Sequence, residues 1–124
     1  MDYTFDKSLV LSKQTEIDAL FLKGKRVKNS VFTILYREIP LIEAPFQVLV
    51  SVPKRNIKKA VHRNYIKRCI REVVRKSKTL FEQKEVAGES SLLYGIVYNS
   101  GKKLEHVEIE KHLLQLLQKI QNPK

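Results

Sequence analysis

The chain has 124 residues, of which 43% are hydrophobic and 8% aromatic, so we expect one folded domain with a core of its own. It carries 24 Lys and Arg against 13 Asp and Glu, a formal net charge of +11, and a small domain this basic usually binds a polyanion. The single Cys69 excludes an internal disulfide and a Cys-rich zinc site. Neither a signal peptide nor an apolar run long enough to span a bilayer is visible, so we expect a cytoplasmic protein with no membrane partner.

The first third of the chain predicts a helix followed by a strand. Residues 9–23 have apolar side chains at helical spacing, and Gly24 ends the helix in the usual C-terminal manner. Residues 25–30 form a basic, polar turn with room for a short strand. Residues 31–36 are rich in strand-forming side chains and predict a strand.

The middle of the chain predicts a loop, a strand and the longest helix. Residues 38–45 contain two prolines and are typical of a hairpin loop. Residues 46–52 are almost continuously apolar, which favours a strand in the centre of its sheet. A long helix is expected over residues 57–81.

The last third predicts a polar connection over residues 82–91, a strand over residues 92–98 and an amphipathic helix over residues 107–120. The element order α-β-β-β-α-β-α predicts a two-layer α+β sandwich. We expect a single RNA-binding domain over residues 1–124, with flexible ends at residues 1–8 and 121–124.

The positive charge is concentrated in one segment. Between Lys54 and Lys78 there are eleven basic residues and one acid, Glu72, whereas the remainder of the chain is nearly balanced. A charge run on a helix is usually a solvated face, but this excess favours a surface that binds a polyanion.

The long helix separates apolar from basic side chains. One arc of the helix carries Ile66, Cys69, Ile70, Val73 and Val74 and is expected to pack on the sheet. The adjoining arc carries cations at a spacing of four residues: Arg63, Lys67, Arg71 and Arg75. Like charges at this spacing repel each other, so a bound polyanion would stabilise the arrangement. Phosphates are the natural partners because Arg binds them bidentately and counterion release drives association.

The segment from Val52 to Glu72 contains Arg63-Asn64, then Ile66-Lys67-Arg68, then Arg71-Glu72. This pattern resembles the signature of the bacterial ribonuclease P protein subunit, and the match extends over most of the chain. The resemblance implies the fold of the second domain of ribosomal protein S5, with a left-handed βαβ crossover.

The family resemblance also implies a function. The protein would be the accessory subunit of an RNA-based endoribonuclease that removes the 5′ leader from precursor tRNA. Its partners would be the catalytic RNA subunit and precursor tRNA, and no DNA partner is expected. The RNA would hold the required Mg²⁺, and the protein would supply no catalytic residue, bind no cofactor and ligate no metal.

Nine residues match the part of the family that contacts RNA: Lys54, Arg55, Lys58, Lys59, Arg63, Asn64, Lys67, Arg68 and Arg71. A cleft between the first helix and the sheet would hold the single-stranded leader, and its lining would include Ile17, Phe21 and Leu35. The family commonly has aromatic residues where Ile17 and Leu35 stand, and Arg where Tyr65 stands. At Tyr65 the chain therefore lacks a cation and gains a stacking surface.

Other activities have less support in the sequence. No Ser/His/Asp or Cys/His arrangement is present, and the basic segment holds only Glu72, which argues against a nuclease site of paired carboxylates. His106 and His112 lack the further ligands of a metal site. A non-enzymatic rRNA-binding ribosomal or assembly protein stays an alternative. A DNA-binding helix in a major groove is a second alternative, although no helix-turn-helix pair is predicted.

Overall fold

The computed structural model describes residues 14–40, 46–77 and 90–121. In chain order the elements are α1 (Gln14–Lys23), β1 (Lys25–Lys28), β2 (Phe32–Pro40), β3 (Phe46–Ser51), α2 (Ala60–Lys76), β4 (Ser90–Tyr98) and α3 (His106–Gln121). This is the predicted α-β-β-β-α-β-α order of an α+β protein. Flexible ends are predicted at residues 1–8 and 121–124. Residues 1–8 and 122–124 lie outside the described residues, whereas Gln121 is the last residue of α3.

The four strands form one mixed sheet in the order β1-β2-β4-β3. The β1–β2 and β2–β4 pairs are antiparallel, whereas β3 and β4 are parallel, with Phe46 opposite Leu92. Because α2 lies between β3 and β4 in the chain, these three elements form the predicted βαβ unit. The left-handedness of this βαβ crossover stays a prediction.

The larger core lies between the sheet and the helices α2 and α3. Alternate residues of β2 and β4 point into it, including Phe32, Ile34, Tyr94 and Tyr98, because successive strand side chains point to opposite faces. Phe32 and Tyr98 meet edge to face, with ring centroids 5.6 Å apart. This layer of helices on a sheet is the predicted sandwich.

The opposite face of the sheet packs against α1. Leu20 of α1 joins Leu35 and Leu93 in a smaller apolar cluster. Gly95 makes this close approach possible, since a Cβ there would lie 3.2 Å from Cδ2 of Leu20. As predicted, α1 ends before Gly24, whose amide donates to the carbonyl oxygen of Leu20 at 2.9 Å.

Two predictions about strand neighbours were wrong. Among the described strands, β3 lies at an edge of the sheet, not at its centre. Its run of apolar residues reflects two covered faces, because Phe46 and Val48 join the larger cluster and Leu49 packs against the smaller one. The hairpin predicted over residues 38–45 is wrong, since residues 38–40 belong to β2 and β4 lies between β2 and β3, so these two strands are not hairpin partners. Residues 41–45 lie outside the described residues.

The helix α2 begins later than predicted. Residues 57–59 are not helical, because the chain turns at Pro53, whose carbonyl oxygen accepts from the amides of Asn56 and Ile57 at 3.0 and 3.2 Å. The helix ends at Lys76, and the predicted continuation over residues 78–81 lies outside the described residues. None of the described helices is long and apolar enough to span a membrane.

Candidate nucleic-acid interface

The helix α2 holds its cations on the side that faces away from the core. All five residues of the predicted apolar arc are buried, from Ile66 to Val74. Asn64, Arg68 and Arg71 are exposed on the other side of the helix. Because α2 is continuous from Ala60 to Lys76, Arg63, Lys67 and Arg71 lie along one side of it, as predicted.

Arg63 fastens the preceding segment to the helix. Its Nη1 donates to the carbonyl oxygens of Ile57 and Lys58 at 2.9 and 2.8 Å. The guanidinium is half-buried and has other donors left, because it carries five N–H groups in all. Arg63 therefore has a structural role besides its charge, which the sequence did not reveal.

The turn before α2 is also attached to the sheet. The side-chain amide of Asn56 donates to the carbonyl oxygen of Tyr98 at 2.9 Å, linking this turn to the end of β4. Lys54 and Arg55, in the same turn, are exposed, as are Lys58 and Lys59. The four cations are thus carried by a segment that is bonded at both ends to regular structure.

The start of α2 is electrostatically unusual. Lys59 occupies the N-cap position without a side-chain hydrogen bond, and the first turn contains no acidic residue. The residues next to the positive end of the helix dipole are therefore Lys58 and Lys59 rather than a residue with a carboxylate. A phosphate group near this end would relieve the unfavourable arrangement.

A cleft of about 330 Å³ lies beside the start of α2. Its lining comes from residues 56–59 and His62 on one segment and from Gly101 and Lys103 on another. The two segments approach closely, since a Cβ on Gly101 would lie 4.0 Å from the carbonyl oxygen of Asn56. Three of the lining residues are lysines and none is acidic, which is the chemistry of an anion site.

Tyr65 of α2 contacts the segment before α3. Lys103 places its Nζ 4.4 Å from the centre of the Tyr65 ring, and the guanidinium carbon of Arg68 is 5.9 Å from it. The Tyr65 hydroxyl donates to Oε1 of Glu105 at 3.3 Å. The neighbouring Cys69 thiol, partial desolvation and the Glu105 carboxylate raise the pKa of Tyr65 above its ordinary value.

These contacts change the interpretation of Tyr65. The sequence predicted a lost cation and a new stacking surface, but two cations already lie against the ring. Lys103 brings a positive charge to Tyr65 from a distant part of the chain. Lys103 was missed because it follows an ordinary turn after β4, and only the fold brings it to α2.

The basic surface is defined here as Lys54, Arg55, Lys58, Lys59, Arg63, Asn64, Lys67, Arg68 and Arg71. Within residues 14–40, 46–77 and 90–121, none of these side chains forms an ion pair with a carboxylate. Arg75, the last member of the predicted row of cations, is bonded to Glu72. This bond lowers the pKa of Glu72, since Arg75 stabilises the ionised carboxylate. The end of the row is therefore partly neutralised.

The three residues predicted to line a leader cleft differ in exposure. Phe21 is 41% exposed, Ile17 is half-buried, and Leu35 is 2% exposed. Ile17 and Leu35 belong to the apolar cluster beneath α1, and Arg37 of β2 reaches Glu16 of α1 at 3.8 Å. Of the three, Phe21 presents the largest surface to solvent.

The described residues show no group of three or more His, Cys, Asp or Glu that would hold a metal ion. His106 begins α3 and His112 lies within it. Cys69 is a buried free thiol in the larger core, as expected from its place in the apolar arc.

Comparison with solved structures shows related folds. The structure superposes on the RNase P protein of Staphylococcus aureus with a TM-score of 0.72 and 24% identity, covering 90% of this chain and 94% of that one. For the RNase P protein of Thermotoga maritima the TM-score is 0.70 at 20% identity, with 89% and 96% covered. At these identities the similarity concerns the fold alone.

Sequence comparison gives the family. A Chlorobium phaeobacteroides ribonuclease P protein component is 36% identical over 76 residues, which span 58% of this chain and 52% of that relative. The Aliivibrio fischeri protein component is 29% identical over 123 residues, with 99% and 97% covered. The profile of the family described as Ribonuclease P matches residues 5–121. The chain therefore belongs to the ribonuclease P protein family.

Proposed function

We propose that this protein is the RNA-binding subunit of ribonuclease P. It binds the catalytic RNA through the basic surface and helps this RNA to remove the 5′ leader of precursor tRNA. The observation that carries the proposal is the basic surface itself: eight cations and Asn64 on a firmly attached segment, none of them in an ion pair with a described carboxylate.

The electrostatics explain how such a surface would assist cleavage. Catalytic RNA and precursor tRNA are both polyanions, and their phosphates repel each other where they meet. Cations held on a rigid helix reduce this repulsion, and the counterions that they displace from RNA favour association. The protein then raises the affinity for substrate, and for the Mg²⁺ that the RNA requires, without taking part in the chemistry.

Magnesium chemistry belongs to the RNA in this proposal. Among the described residues, no group of three or more His, Cys, Asp or Glu is available to hold a metal ion. The chain contributes positive charge and shape, and the RNA positions the reacting phosphate.

A leader site is proposed on the other side of the sheet. Phe21 is exposed on α1, so part of its ring is accessible to a base, whereas Leu35 is covered by α1. Base stacking on one aromatic ring is worth about 1–3 kcal/mol. We expect contacts with the leader to depend on Phe21 more than on Ile17 or Leu35.

Reconstitution tests the proposed function. The purified protein is added to a bacterial ribonuclease P RNA transcript and a 5′-labelled precursor tRNA, at an Mg²⁺ concentration where the RNA alone is slow. The expected result is faster release of an intact leader, with no cleavage by the protein alone. Unchanged cleavage at every Mg²⁺ concentration would contradict the proposal.

Two variants of equal charge provide the control. Arg68→Ala removes an exposed cation of the basic surface, and Lys119→Ala removes an exposed cation near the end of α3. Arg68→Ala should reduce the stimulation of cleavage at low Mg²⁺ several-fold, whereas Lys119→Ala should retain it. Equal stimulation by both variants would show that general positive charge, not the basic surface, assists the RNA.

The same preparation tests the two alternatives. A ribosomal or assembly protein would bind rRNA fragments in preference to ribonuclease P RNA, and a DNA-binding protein would prefer duplex DNA at the same salt concentration. Our proposal predicts that ribonuclease P RNA competes better than either.

A further inference from the structure

We propose that Tyr65 is a positioning residue, whose ring holds Lys103 beside α2 so that this lysine joins the basic surface and contacts an RNA phosphate. This inference rests on the proposed function, because it assigns a further contact to the same RNA partner. The observation behind it is the distance of 4.4 Å between Nζ of Lys103 and the centre of the Tyr65 ring.

The ring and the ammonium group are suited to each other. An ammonium group within about 6 Å of an aromatic ring centre is attracted by the electrons of the ring face. Lys103 also lies 3.9 Å from Oε2 of Glu105, and the Tyr65 hydroxyl is bonded to the other oxygen of the same carboxylate. Ring and carboxylate therefore restrain the lysine from two directions.

The restrained lysine lies at a place that favours an anion. Lys103 lines the cleft together with Lys58, Lys59 and His62, at the uncapped start of α2. The Glu105 side chain is 69% exposed, so its ion pair with Lys103 is screened by solvent and leaves the lysine able to bind a phosphate. A single phosphate in the cleft would have lysines from two separate segments around it.

Tyr65 thus brings a cation to a position where its own side chain carries none. An arginine at this place would supply its charge from α2, whereas the tyrosine recruits a lysine from the segment before α3. The aromatic ring, and not the hydroxyl, is the group that the inference requires.

The test is a double-mutant cycle on the affinity for ribonuclease P RNA. Tyr65→Leu should weaken binding roughly two- to five-fold, since that is the size of an exposed cation–π contact. Lys103→Ala should weaken it at least as much, because it removes the charge that contacts the phosphate. The double variant should bind as tightly as Lys103→Ala, because the ring has no lysine left to position. A double variant weakened by the product of the two single effects would overturn the inference.

Two comparisons separate positioning from general stability. Lys102→Ala removes the neighbouring charge, which has no described contact with the ring, so Tyr65→Leu should retain its full effect in that background. Tyr65→Phe keeps the ring and should restore the affinity lost in Tyr65→Leu. If the phenylalanine variant binds as weakly as the leucine variant, the ring is not the positioning group.

A spectroscopic measurement keeps the inference testable if Tyr65→Leu does not fold. In the wild-type protein, the ring should shift the NMR signals of the Lys103 ε-methylene protons upfield of those of the other lysines. Absence of this shift would overturn the inference. Wild-type protein that does not bind the RNA would instead contradict the proposed function.

Discussion

The guanidinium of Arg63 donates to the carbonyl oxygen of Ile57, six residues earlier, at 2.9 Å. A second bond from the same nitrogen reaches the carbonyl oxygen of Lys58 at 2.8 Å. Arg63 thus closes the loop before α2 onto the first turns of the helix. One side chain both supplies charge and fixes where Lys58 and Lys59 are placed.

Replacing Arg63 should therefore have two effects. Arg63→Ala is expected to lower the free energy of unfolding by about 1–2 kcal/mol, because two carbonyl groups lose a charged donor. Its loss of RNA affinity should exceed that of Arg68→Ala, whose side chain is exposed and should change stability by less than about 0.5 kcal/mol. Urea denaturation and RNA titration of both variants measure the two effects. Equal stability of the two variants would contradict the role assigned to Arg63.

Tyr98 stabilises the segment that carries Lys102 and Lys103. Its hydroxyl donates to the carbonyl oxygen of Lys102 and accepts from the amide of Leu104 at 3.3 Å. Tyr98→Phe keeps the ring packed on Phe32 but leaves these two groups without the hydroxyl. We expect a loss of about 1–2 kcal/mol in the free energy of unfolding, measured by urea denaturation. A stability equal to that of wild type would show that water replaces the hydroxyl at no cost.

Ionisation of the Tyr98 hydroxyl is also expected to make the stability of the protein depend on pH in the alkaline range. Burial raises the pKa of Tyr98, because ionisation is unfavourable away from water. Its contribution to stability is complete below the ordinary tyrosine pKa of about 10 and is lost as the pH rises above it. Wild type should therefore lose more stability than Tyr98→Phe between pH 9 and pH 11. The difference should be roughly the change in the free energy of unfolding that titration of a single group causes. Equal losses of stability in wild type and Tyr98→Phe over this pH range would contradict the role assigned to the Tyr98 hydroxyl.

Protonation of Glu72 is expected to make the stability of the protein depend on pH in the acidic range. The bond from Arg75 lowers the pKa of Glu72, so this contribution is present above the ordinary glutamate pKa of about 4.3 and is lost as the pH falls. Glu72→Gln removes the titrating group. Thermal unfolding at pH 6 and pH 3.5 should show a slightly smaller loss of stability in this variant than in wild type. A larger loss in the variant would reverse the predicted sign.

Replacement of Phe21 tests the proposed leader site. In the reconstituted holoenzyme, Phe21→Ala should weaken the binding of precursor tRNA by about 1–3 kcal/mol and leave the binding of mature tRNA unchanged. Leu22→Ala is the matched control, since Leu22 is the next residue of α1 and is 84% exposed. Equal losses for precursor and mature tRNA would exclude a leader contact by Phe21.

Local sequence patterns predicted which helices and strands form better than they predicted which strands lie side by side in the sheet. The apolar arc of α2 followed from helical spacing, because burial of one face repeats along the chain in a regular way. The edge position of β3 did not follow, since an apolar strand covered on both faces looks the same at the edge as at the centre. Strand order depends on pairings between distant segments, which periodicity does not contain.

In the candidate site, too, local features could be predicted from the sequence and contacts between distant segments could not. The cations of α2 were visible as a charge run, and the structure confirms that Lys67 and Arg71 share one side of the helix. The ring contact of Lys103 was not visible, because it depends on the fold bringing the segment before α3 to α2. The same holds for Asn29, whose side chain bonds the carbonyl oxygen of His112 across 83 positions.

The salt dependence of RNA binding tests the role of the basic surface most directly. Affinity for ribonuclease P RNA is measured over a range of salt concentrations for wild type, for Arg68→Ala/Arg71→Ala, and for Lys111→Ala/Lys119→Ala, which removes two exposed lysines of α3. Each phosphate contact contributes about 0.7–0.9 to the slope of log K against log salt concentration. We predict a slope shallower by roughly 1.5 for the arginine pair and an unchanged slope for the lysine pair. The same slope for all three proteins would contradict the account.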